Sequence, residues 1–318
     1  MTTSVLVTGA CGYVGGRVAS ALTESGYQVY CGTRKLDSTP PDWLPSMRMV
    51  HIDWHSEGIL KEACRGMDSV IHLAAMNEIE SAKDPVGALT MNGVSTLRLL
   101  NASMAAGVRR FLYFSTAHVY GSPLQGEINE LTLPRPTHPY AISHKVAEDF
   151  ILAAHDLGKI EGVVIRLSNG FGAPVTPNVN RWTLLVNDLC RQAVENGELR
   201  LNSSGEQLRD FITLGDVVRA VTHLMQLDRH SLADGLFNLG SGKAISILEM
   251  SEKVAARWRG LSGNEIEIIR PTSNISQPLS LDYQCNKVGS TGFTLMSSDD
   301  EEIDATLKLC KKTYGCGM

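Results

Sequence analysis

The stretch Thr8-Gly9-Ala10-Cys11-Gly12-Tyr13-Val14-Gly15 sets three glycines at intervals of three residues. A short apolar run over residues 4–7 precedes it, and a helical pattern over 13–25 follows it and stops at Gly26. A glycine turn between a buried strand and a helix start suits a pyrophosphate. Gly9 lets the chain turn sharply, Gly12 lets the backbone approach the phosphates, and Gly15 lets the helix pack close to the sheet. The helix end adds N–H donors and a positive dipole end. Gly9, Gly12, Tyr13, Val14 and Gly15 are therefore the candidate cradle of a dinucleotide.

The end of the second strand bears on which dinucleotide. A site for NAD usually carries an acid there, which accepts from the ribose 2′-hydroxyl. This chain reads Gly32-Thr33-Arg34-Lys35, with no acid before Asp37. Thr33 and Arg34 suit a 2′-phosphate, because a guanidinium can grip phosphate through two hydrogen bonds. The expectation is NADP(H), with NAD as the alternative. Asp53, after the third strand, is a candidate acceptor for the adenine amino group. Two other patterns are set aside. Gly240-Ser241-Gly242-Lys243-Ala244 lacks the spacing and the hydroxyl of a triphosphate loop. His51 and His55 lie outside any helical pattern and no third ligand follows, so no metal site is expected.

Strand patterns at 4–7, 27–31, 47–52, 69–73, 110–115 and 162–167 alternate with helical patterns at 13–25, 85–106 and 140–157. Such alternation predicts an α/β fold, a Rossmann-type doubly wound parallel sheet. Past Gly172 the elements shorten. A helix at 181–196, a strand at 199–201 and a helix at 215–227 are expected. Residues 1–172 form the dinucleotide domain, with 213–235 returning to it. Residues 173–212 and 236–318 form a smaller interleaved C-terminal substrate domain, in which Trp182 is read as core.

The chain has 318 residues, 43% hydrophobic and 20% charged, with a net charge of −5. These values exclude a disordered chain and speak against a nucleic-acid or membrane partner. No signal peptide or membrane span is legible, so a cytoplasmic protein is expected. Its seven cysteines (Cys11, Cys31, Cys64, Cys190, Cys285, Cys310, Cys316) form no CxxC and read as reduced thiols. The sequons at Asn101, Asn202 and Asn274 then read as chance matches.

Seven ordered motifs make the chain resemble the extended short-chain dehydrogenase/reductase family, the nucleotide-sugar epimerases and dehydratases. TGACGYVG matches the family's TGxxGxxG. His72-Leu73-Ala74-Ala75 matches its HLAA, and Asn92 falls where an asparagine opens a long helix. The run from Phe114 to Gly121 matches S[ST]xxVYG, and Tyr140-Ala141-Ile142-Ser143 begins YxxSK. Arg166–Gly172 matches RxxNxYG, and Arg209-Asp210-Phe211-Ile212 matches RDFI.

The resemblance implies hydride transfer at a carbinol carbon, with Tyr140 as general acid/base and Thr116 hydrogen-bonded to the reacting oxygen. Leu73, Ala74, Ala75 and Asn92 then belong to the cofactor site. Free tyrosine has a pKa near 10 and needs a nearby cation to act at neutral pH. The family supplies a lysine four residues on, which also holds the nicotinamide ribose. Here that position is His144, and Lys145 is one further. On a helix +4 returns to within about 40° of the tyrosine while +5 lies about 140° away. His144 is therefore the expected substitute. It can hydrogen-bond the ribose but is mostly neutral above pH 7.

Dehydratases of the family carry Asp-Glu at the positions of Ala117-His118, so dehydration is not expected. In GDP-fucose synthase-like members a cysteine at the His118 position exchanges a proton beside a ketone. His118 either does the same or lines the pocket. Asn169 and Arg209 fall where relatives contact the sugar and the nucleotide diphosphate. Arg270-Pro271 resembles the family's RPGD turn without its aspartate. The resemblance thus implies an NADP(H)-dependent oxidoreductase of a nucleotide-activated sugar, acting at C4 as a ketoreductase or dehydrogenase. A 4-epimerase and a non-catalytic cofactor-binding sensor are the alternatives. A homodimer, built on the helices at 92–106 and 140–157, is implied in the same way.

Overall fold

A computed structural model describes residues 2–271 and 279–315. Asn274 and Cys316 lie outside them. The chain divides into two units.

The first unit comprises the residues up to Pro123, Glu130–Leu167 and Ala220–Leu239. Its seven-stranded sheet contains β1 (Ser4–Thr8), β2 (Gln28–Thr33), β3 (Arg48–His51), β4 (Ser69–His72), β5 (Arg110–Thr116), β6 (Glu161–Leu167) and β7 (Leu236–Leu239). The order is β7-β6-β5-β4-β1-β2-β3 and every pairing is parallel. Helices cover a parallel sheet on both faces, so its strands run apolar throughout rather than alternating. All seven residues of β5 are accordingly buried. Leu6, Leu60, Val70, Leu99, Phe111, Ile151 and Val164 share one core cluster. The strand order reverses between β1 and β4, and open α/β sheets bind ligands beyond the strand ends at such a point.

Two expectations need correction here. Residues 236–239, assigned above to the second domain, form β7, because all four are buried and pair with β6 from Leu236↔Val164 to Leu239↔Leu167. The single helix expected over 85–106 is three pieces: Pro85–Ala88, a π-helical segment Leu89–Val94, and Ser95–Ala105. A π turn takes up one extra residue. Here it lies where Asn92, fully buried, binds the loop after β4 and the helix of Tyr140.

The second unit comprises Leu124–Asn129, Ser168–Arg219 and the described residues from Gly240 on. Its boundaries differ from those expected because Asn169–Phe171 pairs with Leu208–Thr213, and Gly126–Ile128 pairs with Leu281–Tyr283. Helices Leu185–Glu195, Ile247–Ser262 and Asp299–Tyr314 pack around Leu189, Phe211, Met250, Trp258 and Leu307. Trp182 belongs to this core and its indole donates to the Pro177 carbonyl at 3.1 Å. Among the described residues no helix is long and apolar enough to cross a membrane.

Candidate active site

The glycine turn leaves β1 at the switch point. The register Thr8↔His72 sets Gly9, at φ +73°, against the chain after β4. A Cβ on Gly9 would lie 3.0 Å from the Ala74 nitrogen, and one on Gly15 only 2.0 Å from the Gly9 oxygen. Helix α1 (Tyr13–Glu24) begins at Gly12 with no side-chain cap and no acid in its first turn. A helix N-terminus without a side-chain cap suits an anion such as a pyrophosphate. Tyr13 and Gly15 are buried in this turn, and Val14 is half-buried.

A buried chain of hydrogen bonds holds the turn. Thr8 Oγ1 and His72 Nδ1 lie 2.6 Å apart, and His72 Nε2 reaches Thr96 Oγ1 at 2.9 Å. Thr96 spends its proton on the Asn92 carbonyl, so its oxygen accepts from His72. Leu73 donates from its backbone to the Thr8 carbonyl. Asn92 accepts from Met76 N at 2.7 Å and donates to Ser143 Oγ at 3.0 Å, and Ser143 donates to the Tyr140 carbonyl. Asn92 thus braces the first turn of the Tyr140 helix.

Thr33 ends β2, and its hydroxyl accepts from Lys35 N and lies 3.4 Å from Ser38 Oγ. Arg34 and Lys35 are exposed. Asp53 is half-buried, and one of its oxygens accepts from His55 N. Ala75 is exposed after β4. Among the described residues no group of three or more potential ligands gathers for a metal.

Thr116 closes β5. Its Oγ1 accepts from the backbone of His118, itself exposed on a single 3₁₀ turn over Ala117–Tyr120. Tyr140 lies in the first turn of Pro139–Asp156, after the proline and the capping His138. The His144 ring packs edge-on against that of Tyr140, with centroids 4.5 Å apart. On its other side Nδ1 of His144 meets the Tyr113 hydroxyl at 2.6 Å. Burial pushes His144 down to about 3, so the ring is neutral at physiological pH. Its Nε2 is buried without a hydrogen-bond partner. Lys145 instead pairs with Asp149, as the helical angle required. Sequence reading passed over Tyr113, a mid-strand aromatic that reads as core.

Several motif residues form a scaffold instead. Glu148 and Arg166, both buried, pair through two contacts of 2.7 and 3.0 Å. Ser115 donates to the same carboxylate. Arg166 also stacks over the Tyr120 ring at 4.6 Å, and Tyr120 donates to Asn238 on β7. One ion pair therefore ties β5, β6 and the Tyr140 helix together.

In the second unit, Asn169 donates to the Asp210 carbonyl at 2.8 Å. Arg209 is half-buried and its guanidinium donates to Gln207; desolvation lowers its pKa. A cation so placed retains its capacity for an anion. Arg270 is exposed and donates to the Ser204 carbonyl. The loop Gly240–Lys243 wraps a different anion: Ser241 N, Ser241 Oγ and Lys243 N all donate to the buried carboxylate of Asp210.

The model of the NAD dependent epimerase/dehydratase family matches residues 5–240. The chain belongs to this family. A UDP-glucose 4-epimerase of Streptomyces lividans is 32% identical over 85% of this chain and 85% of its own length. A dTDP-D-glucose 4,6-dehydratase of Mus musculus is 27% identical over 98% and 89%. Among solved structures, MoeE5 in complex with UDP-glucose and NAD superposes with a TM-score of 0.79 at 27% identity, covering 98% of this chain and 99% of that one. Membership of the epimerase/dehydratase family makes the protein an NAD(P)-dependent enzyme of the extended short-chain dehydrogenase/reductase type.

Proposed function

We propose that the protein oxidises and re-reduces C4 of a nucleotide-activated hexose, as a sugar-nucleotide 4-epimerase. The observation that carries this reading is Tyr140 at the head of its helix, backed by a neutral His144, on the sheet that carries the glycine turn. The 4-epimerase relative adds support. Gly9, Gly12, Tyr13, Val14, Gly15, Leu73, Ala74 and Ala75 hold the dinucleotide, which supplies the hydride acceptor when bound. Tyr140 takes the proton from the sugar hydroxyl and returns it, while Thr116 orients the oxygen. His144 fixes the ribose through Nε2. Asn169, Arg209 and Arg270 hold the sugar nucleotide, and His118 meets its exposed edge. Ala117 and His118 bring no carboxylate, which speaks against dehydration.

A second reading, net ketoreduction by NADPH, is supported by Arg34 and Lys35, which stand exposed after β2 with no acid beside them in sequence before Asp37. The test incubates the enzyme with UDP-, GDP- and dTDP-hexoses and their 4-keto forms, following absorbance of the reduced cofactor and sugar composition. Isomer formation without net absorbance change supports epimerisation. Net oxidation of the reduced cofactor by a 4-keto form supports the reductase. Cofactor binding with neither supports a sensor. Arg34→Ala should weaken NADP at least tenfold and spare NAD. Equal weakening of both removes the 2′-phosphate role.

A homodimer through the helices near Asn92 and Tyr140 belongs to the same proposal. Leu89 and Val94 on one, and Ile142 and Phe150 on the other, are exposed apolar side chains.

A further inference from the structure

The helix that carries Tyr140 opens with His138-Pro139-Tyr140, and its first turn satisfies its donors in an uncommon way. Proline at the first helical position brings no N–H, so the donors to be satisfied begin with that of Tyr140 itself. The Tyr140 N–H donates to Nδ1 of His138 at 3.2 Å, and the His138 carbonyl accepts from the N–H of Ile142 at 3.0 Å. Nδ1 can accept only when the ring proton sits on Nε2. Other helices of the chain are capped through side-chain oxygens, by Ser56, Asn77, Asp84, Ser246 and Ser298. Helix N-termini favour those residue types, and imidazole is not among them. A local rule is thus broken two residues before the candidate acid/base.

The other backbone end of Tyr140 is held as well. Its carbonyl accepts from Ser143 Oγ at 2.8 Å, and that oxygen accepts from Asn92 Nδ2 at 3.0 Å. Ser143 and Asn92 are both buried. His138 is half-buried, and among the described residues its ring makes no other hydrogen bond, ion pair or ring contact.

We propose that His138 is a positioning residue of the reaction: its Nδ1 and the Ser143 hydroxyl clamp the two backbone ends of Tyr140 and so fix where the phenol stands. The proposal rests on the reading of Tyr140 as the acid/base, and His138 acts only through it.

The phenol oxygen is the far end of its side chain, so a small rotation of the backbone at Tyr140 is enlarged there. Proton transfer tolerates little of this, since a misplacement of about 1 Å can cost about a hundredfold in rate. A first turn without its cap opens more readily, because its N–H groups turn to water. His144 does not compensate. It packs edge-on against the Tyr140 ring, and burial keeps it neutral. A cation attracts a phenolate over a range of positions, whereas a neutral ring acts at contact. In this chain the placing of the phenol therefore has to come from the backbone that carries it.

Kinetics with UDP-, GDP- and dTDP-hexoses, together with hydrogen–deuterium exchange, test the clamp. His138→Ala should lower kcat about tenfold and leave KM for sugar nucleotide and dinucleotide within about twofold, because only the proton-transfer step is displaced. His138→Asn, which caps through oxygen, should restore kcat to within about twofold of wild type. The peptide covering residues 139–145 should exchange about tenfold faster in His138→Ala and at the wild-type rate in His138→Asn. Ser298→Ala uncaps the helix Asp299–Tyr314 and should leave kcat unchanged. Wild-type kcat in His138→Ala, failure of Asn to rescue, or an equal fall in Ser298→Ala overturns the positioning role. Unchanged exchange in His138→Ala overturns the clamp. Tyr140→Phe separates this proposal from the reading beneath it. Turnover retained in Tyr140→Phe, or absent from the wild-type chain with every hexose, removes the acid/base assignment and the proposal together. Turnover lost in Tyr140→Phe but kept in His138→Ala removes the proposal alone.

Discussion

The ring of His144 meets that of Tyr140 edge-on, at 4.5 Å between centroids and 67° between planes, while its Nδ1 is held by Tyr113 from the opposite side. The motif YxxSK implies a lysine at this position, whose charge would lower the tyrosine's pKa. A neutral, buried imidazole orients through hydrogen bonding and brings no charge.

Replacing His144 with Lys should therefore return a cation to Tyr140 and move the rising limb of kcat, below which the tyrosine is protonated and cannot take the sugar's proton, about one to two units toward lower pH. Unchanged turnover and an unchanged pH profile would show that this position does not set the tyrosine's acidity. Tyr113→Phe should raise KM for the cofactor while leaving that limb in place, because it removes the brace on His144 without adding charge.

Acid sensitivity follows from the two buried imidazoles. Burial lowers His72 and His144 from 6.5 to about 3 each, with a second, repulsive contribution of His144 to His72. Between those values the unfolded chain binds protons that the folded chain refuses, so stability falls as pH drops from about 6.5 toward 3. The loss should reach several kcal/mol, at about 1.4 kcal/mol per unit. Denaturant midpoints from pH 7.5 to 4.5 measure it. His144→Gln should flatten the slope, and an unchanged slope rules out its contribution.

The Glu148–Arg166 pair offers a third test. Glu148→Ala leaves a buried guanidinium uncompensated and should cost about 3–5 kcal/mol, whereas the double substitution Glu148→Met with Arg166→Met should cost less than either single change. Urea unfolding of the three variants reads this. Additive losses would mean that the two groups do not act as a pair.

Phe150→Glu together with Ile142→Glu should convert a dimer to a monomer in light scattering, with the circular dichroism spectrum unchanged. A wild-type monomer would remove the dimer proposal.

The glycine turn and the strands at 4–7, 69–73 and 110–115 were legible because spacing and apolar runs act locally. The register that sets Gly9 against Leu73 follows from them. The seventh strand was not legible, since four residues at Leu236–Leu239 carry no period and become a strand only by pairing with β6. The role of Tyr113 was equally hidden. Its bond to His144 joins residues that are far apart in sequence, and only the fold makes them neighbours. The Gly240–Lys243 loop shows the converse. Set aside as a phosphate site for its spacing and its missing hydroxyl, it does enclose an anion, and that anion is the protein's own Asp210.

The π-helical segment Leu89–Val94 also constrains how this chain can change. One residue more than a regular helix would hold is stored there. Deleting one of the six would let a regular α-helix run through, with the turns on either side keeping the faces they now present. What it would lose is the local backbone on which Asn92 reaches Met76 and Ser143. A one-residue deletion here should therefore cost the Asn92 contacts before it costs the direction of the helix.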